Sequence, residues 1–253
     1  MVIDIHTHTQ SKGTVFHTED VADARRMADI SGIDKIVYLF DLATGGRDPS
    51  PQDIQASNNL GMRLVDAAPD FYISFCYLNP ANDPDFTRAE IERCIVNGGM
   101  KGIKLWVAVH AVDSRLDLIM HIAGQLGVPV LHHSWYKAAN WAYNESSPVE
   151  IADLARRHPH TGIIMAHLAG VRWRGVLDVK DCPNVFIDTS GGQPEAGLLE
   201  YAVQELGAER VLFGSDWPLR DFAVQKARVS GAAITDDQRK LILGGNATRI
   251  LKL

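Results

Sequence analysis

Cysteine is scarce, and that excludes a disulfide scaffold. The 253 residues hold three, Cys76, Cys94 and Cys182, an odd number lying in otherwise regular segments. A reducing compartment is expected. No apolar run reaches the ~18–20 residues of a membrane-spanning helix, and Asp4 precedes any leader-like stretch. The chain is therefore expected to be cytoplasmic and off the membrane. Basic runs are also lacking, and a net charge of −6 argues against a nucleic-acid partner. No low-complexity stretch, linker or sequence repeat divides the chain, so a single domain over residues 1–253 is expected. What remains, 46% hydrophobic and 22% charged, is ordinary globular composition with enough length to bury a large core.

Short β-rich runs alternate with helical patterns. The strand candidates are residues 2–5, 35–40, 71–78, 102–107, 128–133, 162–167, 185–189 and 211–214. Most are continuous apolar runs, as parallel strands covered on both faces require. They recur at intervals of roughly 20–40 residues, room for a strand, a helix and two loops. Helical patterns fill residues 18–27, 51–68, 83–96, 116–125, 147–157, 195–206 and 221–229, with a closing pair at 236–243 and 246–251 split by Gly244-Gly245. Asn246 is expected to cap the last of these. Eight strands alternating with about eight helices predict an α/β fold, a closed (β/α)8 TIM barrel. An open doubly wound sheet is the alternative, but it would hold its first and last strands far apart.

The segment Val2-Ile3-Asp4-Ile5-His6-Thr7-His8 organises the rest. Residues at i and i+2 of a strand share a face, so His6 and His8 project side by side. Two neutral imidazoles about one pleat apart can chelate one divalent metal; the bland alternative is a solvated strand end. Three further strands end in residues of the same kind. Strand five reads Pro129-Val130-Leu131-His132-His133-Ser134-Trp135, strand six ends Ala166-His167-Leu168, and strand eight ends Gly214-Ser215-Asp216-Trp217-Pro218. Neighbouring residues on a strand face opposite sides, so either His132 or His133 can join the pair, and the residues alone leave that choice open. All strands of such a barrel open at one mouth, which brings these four ends together.

His-Thr-His, Pro-Val-Leu-His-His, Ala-His-Leu-Ala-Gly, Gly-Ser-Asp-Trp-Pro and the closing Ile-Leu-Gly-Gly-Asn-Ala-Thr-Arg-Ile-Leu together resemble the amidohydrolase superfamily. The branch resembled includes metal-dependent hydrolases, lactonases and the aminocarboxymuconate-semialdehyde decarboxylase group, and the resemblance runs from residue 3 to residue 251. It implies one divalent ion, zinc first and manganese second, held by His6, His8, a strand-five histidine and Asp216. The family's spacing after Pro-Val selects His133. The resemblance also gives His167 the role of acid/base or carbonyl polariser beside the site. It places Lys104 where binuclear relatives carry a carboxylated lysine; the plainer reading is a cation that neutralises an anionic substrate or a buried carboxylate such as Asp188. Homodimers are common in the branch.

Three histidines and a carboxylate leave an open position for water, whose pKa a divalent ion lowers from 15.7 to roughly 7–9. Asp216 would accept that water's proton, with His167 polarising a carbonyl or protonating a leaving group. The first reading is therefore hydrolysis of a small amide, ester or lactone. The alternative on the same residues is non-oxidative decarboxylation of a small unsaturated or aromatic acid. The stretch after strand five holds Trp135, Tyr136, Lys137, Asn140, Trp141 and Tyr143, aromatic walls with a cation that suit a cyclic or acidic small molecule. Arg172, Arg174, Arg220 and Arg47 are further candidates for binding a substrate carboxylate. Asp4, facing away from His6 and His8, is expected to be structural.

Overall fold

The computed structural model describes residues 1–9, 16–136, 144–193 and 195–253. Its strands are β1 (Ile3–Thr9), β2 (Lys35–Asp41), β3 (Tyr72–Ser74), β4 (Cys76–Leu78), β5 (Ile103–Leu105), β6 (Val130–His132), β7 (Ile163–Met165), β8 (Val185–Asp188) and β9 (Val211–Leu212). All neighbouring pairs are parallel, in the orders β1-β2-β3 and β4-β5-β6-β7-β8-β9. The expected third strand, 71–78, is interrupted at Phe75. That residue keeps the ladder going, since its N–H donates to the Tyr38 carbonyl at 3.0 Å while Cys76 N–H donates to Gly102 at 2.8 Å. The other seam closes through Ile5 N–H to Phe213 O at 2.9 Å, His8 N–H to Trp217 O at 2.7 Å and a parallel bridge between Thr7 and Trp217. The result is the expected (β/α)8 TIM barrel. Buried apolar side chains such as Ile3, Ile5, Val130, Leu131, Ile163, Ile164 and Val211 form its core.

The outer layer is α1 (Thr18–Ile30), α2 (Pro51–Ala67), α3 (Pro84–Ile91), α4 (Leu116–Leu126), α5 (Pro148–Arg157), α6 (Leu168–Asp178), α7 (Leu198–Leu206), α8 (Phe222–Ser230), α9 (Asp236–Lys240) and α10 (Asn246–Leu251). Capping residues fix several starts: Ser50, Ser147 and Thr235 each form a reciprocal capping box, with Pro at the first turn of α2 and α5. Helix α6 has no such signal. It starts at His167 in a left-handed conformation, contains two glycines and is kinked at Arg172, so no periodic pattern announces it. At the end of the chain Gly244-Gly245 does not split two helices; a π-helical turn, Leu241–Gly245, joins α9 to α10. Asn246 is accordingly no cap. Its Nδ2 donates to the carbonyls of Ala208 and Val211, at 2.8 and 2.7 Å, and pins the start of β9. Among the described residues no helix is long and apolar enough to cross a membrane.

Candidate active site

The C-terminal ends of the strands surround a cavity of about 280 Å³. Its lining brings His6 and His8 together with His133, His167 and Asp216. Asp216 reaches the two histidines because the barrel closes there: its N–H donates to the His6 carbonyl at 2.8 Å. Asp216 and His167 adopt φ of 70° and 71°, a left-handed conformation uncommon outside glycine that Asp and His tolerate better than most residues. Two such residues in one cavity mark backbone held by its surroundings to aim particular side chains. Asp4 plays the structural part expected of it. Its Oδ1 accepts from the N–H groups of His6 and Ser215, each at 3.0 Å, tying β1 to the segment that carries Asp216.

Second partners set how the two β1 histidines present themselves. His6 Nδ1 lies 2.7 Å from Asp188 Oδ2, and His8 Nδ1 lies 3.1 Å from the Phe40 carbonyl. Both partners are acceptors, so each ring carries its proton on Nδ1 and offers the lone pair of Nε2. These nitrogens lie 3.7 and 3.6 Å from Asp216 Oδ1, with all three donor atoms within 4.8 Å of one another. Ligand atoms placed tetrahedrally ~2.0–2.1 Å from a zinc ion stand about 3.4 Å apart. His6 Nε2 is buried with no hydrogen-bond partner. Burial holds His6 and His8 well below the usual histidine range, with Lys104 and neighbouring histidines adding to it, which keeps both in the neutral form a ligand needs. Burial, with Asp188 adding, pushes the Asp216 carboxyl up to about 7. Two bare lone pairs and a destabilised carboxylate aimed at one point fit a divalent ion.

A second group of side chains stands beside this one. His167 Nδ1 lies 2.9 Å from Ser190 Oγ, and His167 Nε2 lies 3.1 Å from His133 Nδ1. His133 Nε2 in turn meets Glu145 Oε1 at 3.1 Å. Asp188 accepts from the backbone N–H groups of His167 and Ser190 as well as from His6, so one buried carboxylate orients residues on three different strand ends. Gly191, at φ +88°, passes so close to His167 that an added Cβ would lie 2.7 Å from the histidine's own Cβ. Asp188→Asn is expected to lower divalent-metal affinity about 10–100-fold without altering the circular dichroism spectrum. Competition with a chromophoric chelator measures it, and unchanged affinity would refute the orienting role.

The other expected site residues divide. Lys104, Trp135, Arg220 and Arg47 line the cavity, alongside Phe40, Trp106 and Glu145. His133 lines it and His132 does not; His132 is buried, its Nδ1 against the His133 carbonyl. Arg172 lies outside the cavity lining, a largely exposed side chain paired with Glu195. Tyr136 points outward to Asp178. Lys137, Asn140, Trp141 and Tyr143 lie outside the described residues. Sequence reasoning missed Ser190 and Glu145, and saw Asp188 only as a charge partner for Lys104. One signal for Asp188 was present: like Asp216, it is a carboxylate at the end of an apolar strand.

The amidohydrolase family profile matches residues 3–253. The chain belongs to the amidohydrolase family. Similar sequences include the gamma-resorcylate decarboxylase of Polaromonas sp. (strain JS666 / ATCC BAA-500), 23% identical over 293 residues covering 92% of this chain and 88% of the relative. The 5-carboxyvanillate decarboxylase of Sphingomonas paucimobilis shares the fold, with a TM-score of 0.79 at 16% identity over 100% of this chain and 99% of the other. So does a dihydroxybenzoic acid decarboxylase from Polaromonas sp. JS666 with bound manganese and the inhibitor 2-nitroresorcinol, with a TM-score of 0.79 at 19% identity over 100% and 97%. These relatives overturn the expectation that this amidohydrolase hydrolyses an amide, ester or lactone; they favour decarboxylation. The ligand set was no guide, because the same side chains can serve either reaction.

Proposed function

We propose that this amidohydrolase is a metal-dependent, non-oxidative decarboxylase of a small aromatic carboxylic acid. The observation that carries the reading is the composition of the cavity. The group of His6, His8 and Asp216 lies in one space with the rings of Phe40, Trp106 and Trp135 and the cations Lys104, Arg47 and Arg220. At about 280 Å³ the cavity is smaller than the ~300–1,000 Å³ of drug-sized sites, which suits a one-ring acid.

In this reading His6, His8 and Asp216 would hold one divalent ion, with His133, bonded to Glu145 and His167, beside the trio in the same cavity. The donor set suits zinc, and manganese is the alternative, held in a structure of similar fold. When bound, the ion supplies a Lewis acid against the substrate's oxygens. Trp135, whose ring centre lies 5.4 Å from that of His167, and Phe40, stacked on Tyr77 at 4.6 Å, present flat faces for an aromatic ring. Decarboxylation replaces a carbon–carboxylate bond with a carbon–hydrogen bond, so a proton must reach that carbon. In this reading His167, which lines the cavity between Ser190 and His133 and which burial keeps neutral, would pass that proton on. Arg220, at the exposed mouth, favours the entry of an anion.

The test is a substrate screen on metal-loaded protein. Dihydroxybenzoate isomers and related hydroxybenzoates are incubated alongside lactones and aryl esters, following acid consumption and CO₂ release. Decarboxylation of at least one aromatic acid is expected. Turnover of a lactone or ester with none of the acids consumed would overturn the proposal.

A further inference from the structure

Helix α8 belongs to the outer layer, yet two of its polar side chains reach inward to one loop. Phe222, Gln225 and Arg228 stand three residues apart, so they share a face of the helix. Phe222 is buried, its ring stacked on that of Trp217, the neighbour of Asp216. The other two turn to the segment that follows β8. Arg228 donates from Nη1 to the Thr189 carbonyl and from Nη2 to the Gly192 carbonyl, the latter at 3.0 Å. Buried Gln225 donates from Nε2 to the Gly191 carbonyl at 3.3 Å. Among the described residues, Gly191 and Gly192 make no other hydrogen bond. One face of α8 therefore holds three of four consecutive carbonyls.

An arginine drawn into a protein is usually paired with a carboxylate. Half-buried Arg228 is not: Asp188 and Glu195 act on it only through space, and its donors go to backbone instead. A rigid guanidinium fork on two carbonyls fixes their spacing, which the point charge of a lysine cannot do.

The held loop carries Ser190, whose side chain faces the catalytic cluster. Ser190 Oγ donates to Asp188 Oδ1, which leaves its lone pairs to accept from His167 Nδ1, 2.9 Å away. With the proton on Nδ1, the lone pair of His167 is on Nε2. Gly191 closes on the same ring, for a Cβ added there would also lie 3.1 Å from His167 Nδ1.

We propose that Arg228 and Gln225 are positioning residues for His167. By holding the carbonyls of residues 189, 191 and 192 they keep the Ser190 hydroxyl on Nδ1, and so keep Nε2 the nitrogen that takes and gives the proton. The proposal rests on the reading of His167 as the group that passes a proton to the substrate carbon.

The test compares Arg228→Met, Arg228→Lys, Gln225→Met and Lys226→Met in the zinc-loaded protein. Lys226 is the control: it too ties α8 to backbone, donating to the Ser31 and Gly32 carbonyls at 2.7 and 3.0 Å, where α1 leads into β2. The substrate is the dihydroxybenzoate isomer that wild type consumes fastest. Arg228→Met should lower kcat about 10–100-fold, the effect of misplacing a reacting group by ~1 Å, with KM and zinc affinity within about threefold of wild type. Gln225→Met should lose less, Arg228→Lys should recover part of the loss, and Lys226→Met should match wild type. Nitrogen-15 NMR of the imidazoles gives a second measure that needs no substrate. His167 should hold the Nδ1–H tautomer in wild type and Lys226→Met, and lose that preference in Arg228→Met. An unchanged kcat in Arg228→Met, an equal fall in Lys226→Met, or a His167 tautomer indifferent to Arg228 overturns the proposal. Should Arg228→Met fail to fold, Arg228→Lys and Gln225→Met carry the same comparison. Wild type that consumes no aromatic acid sinks the decarboxylase reading alone, and the nitrogen spectra then decide the positioning role.

Discussion

Asp216→Asn is expected to lower kcat/KM for decarboxylation by about 10³-fold or more while leaving the barrel folded. The carboxylate supplies the negative charge in a donor group whose other members, His6 and His8, are neutral, and its Oδ1 is the atom both Nε2 nitrogens approach. An amide oxygen of the same shape carries no charge to hold a divalent ion. The same substitution should act in the opposite sense on stability. Burial raises the Asp216 carboxyl from its ordinary 3.8 to about 7 in the metal-free protein. The folded state then binds the proton more tightly than the unfolded state does, so this group's contribution to stability falls as pH rises from 3.8 and is least favourable above about 7. The shift corresponds to roughly a few kcal/mol. Metal-free Asp216→Asn should therefore melt at a higher temperature than metal-free wild type at pH 8, with the difference shrinking towards pH 4. A variant less stable than wild type at pH 8 would show that the carboxylate is paired rather than strained.

That carboxylate also shows how far the sequence could be read. The strands carrying His6, Asp216 and His167 were visible as apolar runs ending in chemistry-bearing residues, and the barrel followed from their number and spacing. The convergence of residues 6 and 216 then follows from closure of the seam between β1 and β9. Asp188 was harder to see, because a carboxylate at the end of one strand reveals nothing of the imidazole it meets 182 positions away. Ser190 and Glu145 are harder still: they lie in loops with no periodic pattern, and only tertiary packing brings them to His167 and His133. Helix α6 escaped notice because its start is fixed by the left-handed His167 rather than by a capping side chain. Arg172, which resembled a carboxylate clamp, sits at the kink of α6 and pairs with Glu195 instead. The choice between hydrolysis and decarboxylation was not written in the ligand residues at all, since both reactions use the same donors. It depends on what the rest of the cavity, with its flat aromatic walls and buried ammonium, is shaped to receive.

Exhaustive chelation should lower decarboxylation at least about 100-fold, and one equivalent of zinc or manganese should restore it, with close to one ion per chain in the active protein. Activity that survives chelation would overturn the metal-dependent mechanism. The burial of the donors adds a sharper signature. Ligands must shed protons before they bind a metal, and a site built from exposed histidines would release about one proton from each ring at pH 5. Here His6 and His8 are already neutral, because burial and the positive charge of Lys104 hold them well below their ordinary range. Asp216 behaves the other way and is protonated at pH 5, its carboxyl having been raised to about 7. Metal binding at pH 5 should therefore release close to one proton from this trio, and that proton should come from the carboxyl group. Calorimetric titration in buffers of different ionisation enthalpy measures the number. Release of two or more would mean that the β1 imidazoles are charged before the ion arrives, and that burial does not set the protonation of this site.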